Sequence, residues 1–331
     1  MTAPLFDVLT IGNAIVDVIA DADDDFLAEQ QLVKGSMRLI DEAEAERLYG
    51  VMGPGRELSG GSAGNTAAGL AALGCRVGYI GQVADDQLGQ IYRHDILAQG
   101  IDFLVTPRGD VGATARCLIL VTSDAQRTMN TFLGAAQMLD SSAIDEEAVA
   151  GAGILYLEGY LWDPEGARAA MEQAIAVARG AGRKVALTLS DTFVVDRHGA
   201  DFLRLLDEGK VDILFANAAE LAAMTGIDDH EAGLAALSPK VPLLVVTNGD
   251  QGATAIAGTE RASVPAEPIA RLVDTTGAGD LFAAGFLAGQ AKGLGLEASL
   301  RLGAIAAAEV IQHYGARPEQ DLKALAGTLL D

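Results

Sequence analysis

The sequence of 331 residues predicts an α/β fold with three layers, in which helices cover both faces of a mostly parallel central sheet. Two observations support this fold class. Short apolar runs that end at glycine or a polar residue recur along the chain, and Ala-rich segments with helical spacing lie between them. Strands that alternate with helices are joined by right-handed crossovers, which make neighbouring strands parallel. Half of the residues are hydrophobic, so a sizeable core can form.

Six runs have the composition of strands that are buried on both faces. They read FDVLTIG at 6–12, RVGYIG at 76–81, ILYLEG at 154–159, KVALTL at 184–189, VDILFAN at 211–217 and LLVVTNG at 243–249. Helical spacing is found at 165–181 and 218–225, and two longer helical patterns follow at 279–294 and 296–314.

Four further segments have strand patterns but no intervening helix that could cross the main sheet. They are residues 14–20, 36–40, 112–122 and 127–133. We expect them to pair into one small sheet that acts as a lid over an active site. The sequence therefore predicts a single domain over residues 1–331, with a discontinuous lid at about 14–40 and 104–134 and a large α/β body formed by the rest.

Composition excludes several classes of function. The chain has 46 acidic and 23 basic residues, a formal charge of −23, whereas binding to a phosphate backbone relies on clustered Lys and Arg. Cys75 and Cys117 form no CxxC motif and the four histidines are scattered, so we expect reduced thiols and no zinc site. No stretch of 18 uncharged apolar residues occurs, and no basic residue precedes Lys34. These features predict a cytoplasmic protein without nucleic-acid or membrane partners.

The segment DTTGAGDLFAAGFL at 274–287 is a glycine-rich turn that leads directly into an apolar helical pattern. Unpaired N–H groups at a helix N-terminus carry partial positive charge, and glycines allow an anion to approach them closely. Asp280 lies in the same first turn, where a carboxylate could accept the proton of an attacking hydroxyl. The alternative is that Asp280 is only a helix-favouring acid. A second such turn, GGSAGN at 60–65, favours the functional interpretation.

Other nucleotide-binding and catalytic motifs are missing from the sequence. It contains no GxxxxGK followed by Ser or Thr and no complete GxGxxG after a strand, which disfavours a P-loop enzyme and a Rossmann oxidoreductase. No GxSxG elbow supports a hydrolase.

The two glycine-rich motifs together resemble the signature motifs of the ribokinase (PfkB) family of sugar and nucleoside kinases. Five segments are similar to its adenosine kinase branch: GNAIVD at 12–17, YLEGYLWDPE at 156–165, LTLSDTF at 187–193, VDILFAN at 211–217 and LVDTTGAGD at 272–280. The resemblance implies a ribokinase-like fold and an ATP- and Mg²⁺-dependent phosphotransferase that converts adenosine to AMP at its 5′-hydroxyl. A kinase for a sugar or another nucleoside, and a catalytically silent nucleoside-binding protein, are the alternatives.

The resemblance also implies roles for individual residues. Catalysis is assigned to Asp280 as general base, to Gly277, Ala278 and Gly279 as an anion hole, and to Arg127 as a lid arginine. The acceptor is assigned to Asn13, Asp17, Gly61 and Asn65, with Phe132 and Tyr160 as walls for a purine. The nucleotide is assigned to Asn217, Glu220, Thr247, Gly249 and Gly252. Taken alone, Arg127 and Asp17 would be solvated residues on strands, and Asn217 would be a helix N-cap.

The cofactors implied by the resemblance are ATP and Mg²⁺, the metal being held through water near Asn217 and Glu220. A monovalent cation such as K⁺ near Asp274 and Thr276 is left open. Two residues depart from the family pattern: Ala218 replaces the glutamate of the NExE form, and Glu158 stands where a smaller neutral residue is expected. A carboxylate at position 158 would change which base or sugar is tolerated. The substrate is a small molecule, and both a monomer and a homodimer fit the pattern.

Overall fold

The large sheet of this computed structural model has nine strands and confirms the predicted α/β class. The structure describes residues 4–124 and 126–330. The sheet order is β14-β13-β12-β11-β10-β9-β1-β5-β6. The last seven strands in this order, from β12 to β6, are parallel, and β13 and β14 add an antiparallel edge. Its strands are β1 (Phe6–Ile11), β5 (Val77–Ile80), β6 (Asp102–Phe103), β9 (Ala152–Glu158), β10 (Lys184–Thr188), β11 (Ile213–Asn217), β12 (Leu243–Thr247), β13 (Ala253–Ala257) and β14 (Glu260–Val264).

The second sheet is small and has five strands in the order β3-β8-β7-β2-β4. They are β2 (Ile15–Asp21), β3 (Met37–Leu39), β4 (Arg56–Ser59), β7 (Ala115–Val121) and β8 (Arg127–Phe132). Four of them match the predicted strand segments. The fifth, β4, lies outside the predicted lid spans and pairs antiparallel with β2. Its sequence RELS is short and half charged, as suits the edge of a sheet, and it gives no alternating pattern to detect.

Twelve α-helices are found among the described residues. They are α1 (Asp24–Glu29), α2 (Glu42–Val51), α3 (Ser62–Ala72), α4 (Gln87–Ala98), α5 (Glu146–Gly151), α6 (Glu165–Gly180), α7 (Thr192–Asp207), α8 (Ala218–Thr225), α9 (His230–Leu237), α10 (Ala278–Ala291), α11 (Leu296–Val310) and α12 (Leu322–Ala326). None of them is long and apolar enough to span a bilayer.

Alternate residues along the central strands feed two separate cores, one on each face of the large sheet. Val8 of β1 packs in the core that includes α3, α4, α10 and α11, whereas its neighbour Leu9 packs in the core of α5 to α9. The first core continues into the small sheet through Val18 and Leu118, against which α1 and α2 pack with Leu27 and Leu48. This places the opposite face of the small sheet toward the carboxyl ends of the central strands.

Candidate active site

A cavity of about 510 Å³ lies between the carboxyl ends of the central strands and the inner face of the small sheet. Residues at or just after the ends of β1, β9, β10, β11 and β12 form its floor: Asn13, Glu158, Thr188, Asn217 and Thr247. The small sheet contributes the other wall with Ile15, Asp17, Met37, Leu39, Cys117, Met129 and Thr131. The carboxyl edge of a parallel sheet is the usual ligand site in such folds.

The start of α10 borders this cavity with Gly277, Gly279 and Asp280. Gly277 is the N-cap and has a φ of 78°, and an added side chain there would come within 2.5 Å of the Ala316 Cβ atom. Gly279 is exposed, and no atom lies within 4 Å of the position that its Cβ would take. No described residue accepts a hydrogen bond from the amide of Gly279 or Asp280. The first turn of α10 is therefore open to an anion.

Asp280 faces α3, which packs directly against α10. Ser62 Oγ donates to Asp280 Oδ1 at 2.6 Å, and Asn65 Nδ2 donates to Oδ2 at 2.9 Å. Burial raises the pKa of Asp280, while these two hydrogen bonds and the charge of Arg317 act in the opposite direction. Asn65 Oδ1 is buried and has no hydrogen-bond partner among the described residues, so it can still accept one from a ligand.

Asp17 of β2 and Asn13, just after β1, line the same cavity. Burial raises the pKa of Asp17 to about 6, against the charges of Arg317 and Arg127. Asp17 is thus half-buried on the cavity face of β2 rather than a solvated edge residue. The main chain turns tightly beside it, because a Cβ at Gly60 would lie 2.5 Å from Asp17 Oδ2.

Glu158 is fully buried at the end of β9 and joins three parts of the site. Its Oε1 accepts 2.7 Å hydrogen bonds from the main-chain N and the side-chain Nδ2 of Asn13, and its Oε2 accepts one of 2.7 Å from the amide of Ala63. Burial raises the pKa of Glu158 to about 7, while the bonds from Asn13 and Ala63 lower it. The carboxylate therefore acts as a clamp that links Asn13, just after β1, to the start of α3 at Ala63.

Asn217 and Glu220 form a capping box at the start of α8, which confirms the helix-capping role of Asn217. Glu220 N donates to Asn217 Oδ1 at 2.9 Å, and Asn217 Nδ2 donates to Glu220 Oε1 at 2.7 Å. The pKa of Glu220 is raised to about 7, chiefly by burial and also by the charges of Asp191 and Asp280, against the hydrogen bond from the Asn217 amide. The described residues contain no cluster of three or more His, Cys, Asp or Glu that could hold a metal directly.

Arg127 connects the small sheet to the segment before α10. Its Nη1 pairs with Asp274 Oδ2 and donates to Thr276 Oγ1 at 2.7 Å, and the side chains of Arg127 and Asp274 are 8% and 3% exposed. Arg127 is therefore not a solvated strand-end residue. Asp274 also accepts hydrogen bonds from the amides of Thr276 and Gly315, so protein donors use both of its carboxylate oxygens.

Some predicted site residues do not reach the cavity. Phe132 points away from it, because side chains alternate along β8 and its neighbour Thr131 faces inward; its ring lies 5.9 Å from the Arg116 guanidinium carbon. Gly249 and Gly252 lie in the turn after Thr247, where Gly252 has a φ of 88° and a side chain would meet the Val264 carbonyl oxygen. Ala278 is not among the lining residues, whereas Tyr160 and Gly61 are.

Ser62, Asp191 and Arg317 are among the residues that the sequence analysis did not predict, and the first two line the cavity. Ser62 lies inside the GGSAGN motif, one helical turn before Asn65, and its position in the motif was the available signal. Arg317 donates to the Ser59 carbonyl at 2.9 Å and also to Gly64 O, but its sequence context gives no hint of this long-range contact. Asp191 caps α7 and lines the cavity beside Glu220.

With this geometry in place, similarity to known proteins decides the family. The chain matches the model of the pfkB family carbohydrate kinases over residues 48–322. The protein belongs to this family. It is 48% identical to the solved structure of adenosine kinase from Sinorhizobium meliloti, with a TM-score of 0.90 and coverage of 97% of this chain and 98% of that one.

Two further relatives agree with this assignment. A probable sugar kinase from Rhizobium etli CFN 42 is also 48% identical, with a TM-score of 0.91 and 98% coverage of each chain. Adenosine kinase from Saccharomyces cerevisiae is 28% identical over 95% of this chain and 96% of its own length. The predicted ribokinase-like fold and the kinase class are confirmed: this PfkB protein is a phosphotransferase with an alcohol group of a small molecule as acceptor. The family implies ATP and usually Mg²⁺ as cofactors.

Proposed function

We propose that this PfkB kinase phosphorylates the 5′-hydroxyl of adenosine, using ATP and Mg²⁺, to give AMP. The observation that carries the proposal is the position of Asp280. Its carboxylate lies in the first turn of α10, beside amides with no protein acceptor, in a cavity whose opposite wall holds Asp17. The 48% identity to a structure described as an adenosine kinase favours adenosine as the acceptor.

In this proposal, the chain's own residues supply a base and an anion site. Asp280 takes the proton of the acceptor hydroxyl while the hydroxyl oxygen forms a bond to the γ-phosphorus of ATP. At the same time the bond between the γ-phosphorus and the ADP oxygen breaks. The turn formed by Gly277, Ala278 and Gly279 stabilises the negative charge on the transferred group through the N-terminal dipole of α10. The amide of Gly279 is free of protein acceptors for this purpose, whereas that of Ala278 also donates to the Thr275 carbonyl at 3.2 Å. Arg127 brings a guanidinium group of the small sheet beside this turn, where Asp274 balances its charge.

The apolar wall of the cavity supports a nucleoside rather than a bare sugar. Met37, Leu39 and Met129 of the small sheet line the cavity together with Tyr160 and Phe193, whose rings have centroids 6.0 Å apart. A flat purine has large apolar faces to bury against such side chains, whereas a free sugar exposes hydroxyls on every side. We propose that the small sheet, with α1 and α2, closes as a lid over the purine and excludes water.

The residues near Glu220 suit Mg²⁺ held through water. Glu220, Asp191 and Asp280 place carboxylates around one part of the cavity, and the raised pKa of Glu220 reflects their mutual repulsion as well as burial. A divalent cation would neutralise this charge and the polyphosphate of ATP, and Mg²⁺ usually retains several waters. Asn217 and Glu220 are the residues that we expect to orient them. A monovalent cation near Asp274 and Thr276 stays a prediction, tested by turnover with and without K⁺.

A sugar kinase is the second candidate, because a relative of equal identity is described as a probable sugar kinase. The fully buried Glu158 is relevant to both candidates. Since its carboxylate is bonded to Asn13 and Ala63, it would select the acceptor through the position of Asn13 rather than by direct contact.

The test is the consumption of ATP by the purified protein with Mg²⁺, across adenosine, inosine, guanosine, cytidine, ribose and fructose, with Asp280→Asn as the blank. We expect adenosine to lead by roughly tenfold or more in kcat/KM, the discrimination that a few well-placed contacts provide. A leading sugar or other nucleoside would replace adenosine as substrate while keeping Asp280 as the base. Absence of turnover with every acceptor would favour a silent nucleoside-binding protein.

A further inference from the structure

Three side chains on one face of α3 bind the same residue of α10. Ser62, Asn65 and Thr66 are spaced at i, i+3 and i+4, which places them together on a helix surface. Ser62 and Asn65 donate to the two carboxylate oxygens of Asp280. Thr66 Oγ1 lies 3.2 Å from the main-chain oxygen of Asp280 and also 3.2 Å from that of Ser62. Close helix packing makes this possible, because a Cβ at Gly69 would lie 2.6 Å from the Leu281 side chain.

We propose that Ser62 is a positioning residue that holds the carboxylate of Asp280, in its ionised form, with its remaining lone pairs directed at the acceptor hydroxyl. The inference deepens the proposed kinase function and rests on it for the role of Asp280. An ionised carboxylate has about four acceptor positions, and Ser62 and Asn65 use one on each oxygen. Because Ser62 and Asp280 both line the cavity, the remaining positions are available to a ligand bound there.

The electrostatic surroundings explain why such donors are needed. Burial favours the neutral acid at Asp280, and a neutral acid cannot take a proton. The charged or titratable groups that interact with Asp280 from the other elements are Arg317 near the C-terminus, Asp17 of β2, Tyr156 and Glu158 of β9, Tyr160 after β9, and Glu220 of α8. Only Arg317 among these carries a favourable charge. The hydroxyl of Ser62 and the amide of Asn65 therefore supply much of the remaining stabilisation of the carboxylate.

The kinetic test compares Ser62→Ala with Ser62→Thr, using the acceptor with the highest turnover. We expect Ser62→Ala to lower kcat by roughly 10- to 100-fold, as for the loss of a hydrogen bond to a charged group, with little change in acceptor KM. The loss should be largest at low pH and shrink as the pH rises, because the base is then deprotonated in the variant too. Ser62→Thr retains the hydroxyl and should recover most of kcat.

Thr66→Val is the matched control, because it removes a hydroxyl that binds the main chain of Asp280 and not its carboxylate. Its pH profile should keep the acidic limb of the wild-type protein. A raised acceptor KM in Ser62→Ala with unchanged kcat would mean that Ser62 contacts the substrate instead, and would overturn the proposal. So would an equal shift of the acidic limb in Thr66→Val.

A measurement without substrate separates this inference from the kinase assignment. The side-chain carboxyl ¹³C resonance of Asp280, identified by its loss in Asp280→Asn, is titrated in wild type and in Ser62→Ala. The titration midpoint should lie at higher pH in Ser62→Ala. An unchanged midpoint would refute the role of Ser62, whichever acceptor the enzyme uses, whereas a shifted midpoint in a protein without turnover would leave Ser62 in place and refute only the kinase function.

Discussion

The helices α3 and α10 both begin with a glycine-rich turn, but the main-chain amides of the two turns have different partners. The starts of α3 and α10 each have a glycine N-cap with positive φ, 80° at Gly61 and 78° at Gly277, and neither has a side-chain cap. At α3 the amide of Ala63 is bonded to Glu158 Oε2, whereas at α10 the amide of Gly279 has no described acceptor. An internal carboxylate thus occupies one helix start, and the other is open to a phosphate.

The difference shows that a glycine-rich helix start is not by itself a phosphate site. Both motifs are similar in sequence, and only the fold brings Glu158 to the first of them. With its amide already used, α3 contributes side chains: Ser62 and Asn65 hold the base that lies at the start of α10. We therefore expect changes at α10 to affect phosphoryl transfer and changes around the start of α3 to affect the acceptor and the base.

The largest expected effect is that of Asp280→Asn. We expect kcat to fall by roughly 10²- to 10⁴-fold with little loss of ATP binding, the range for removal of a general base. The matched control is Glu297→Gln, since Glu297 is an exposed acid in the first turn of α11. If steady-state rates of both variants stay near wild type, Asp280 is only a helix-favouring acid.

The two glycines of the α10 turn should separate stability from activity. Gly279→Val adds a side chain whose Cβ has no atom from the rest of the protein within 4 Å, so Tm should hold. The side chain should keep the phosphate away from the amides, so turnover should fall roughly 100-fold, as when an anion-stabilising contact is lost. Gly277→Ala places a side chain at a φ of 78° and near Ala316, and should lower the free energy of unfolding by about 1–3 kcal/mol. Thermal melts and steady-state rates give both readouts. Full activity in Gly279→Val would remove the anion site from α10.

Asp17→Ala tests the acceptor side near the start of α3. We expect acceptor KM to rise roughly tenfold or more with kcat less affected, because contacts to acceptor hydroxyls exist before and during transfer. Asp21→Ala is the control, since Asp21 lies on the same face of β2 but is exposed and does not line the cavity. Equal effects of the two substitutions on KM would contradict a specific contact at Asp17.

The last effect is on stability and concerns the carboxylate that occupies the start of α3. The pKa of Glu158 is raised from 4.5 to about 7, so its contribution to stability is fully present below pH 4.5 and is lost as the pH rises through 7. The shift corresponds to about 3 kcal/mol between pH 5 and 8.

Glu158→Gln removes this titration. Compared with wild type, its free energy of unfolding should therefore fall less steeply from pH 5 to 8 in denaturant titrations. Glu46→Gln, at an exposed glutamate, should run parallel to wild type. Parallel curves for Glu158→Gln as well would show that Glu158 does not titrate in this range.

Local patterns could predict the central strands, both glycine-rich turns and Asp280, because apolar runs and small residues act within a few positions. The direction of Phe132 could not be predicted, since a one-residue change of register on β8 reverses every side chain. The clamp at Glu158 and the contacts of Arg317 depend on segments that are about 95 to 260 residues apart in the chain. The edge strand β4 exists through its pairing with β2 rather than through its own composition.

The most direct test of the account is a crystal structure with Mg²⁺, a non-hydrolysable ATP analogue and adenosine. We predict the terminal phosphate at the amides of Gly277 to Gly279, and the 5′-hydroxyl within hydrogen-bond distance of the Asp280 carboxylate while Ser62 still donates to that carboxylate. A terminal phosphate bound at the start of α3, or an acceptor hydroxyl that does not reach Asp280, would contradict it.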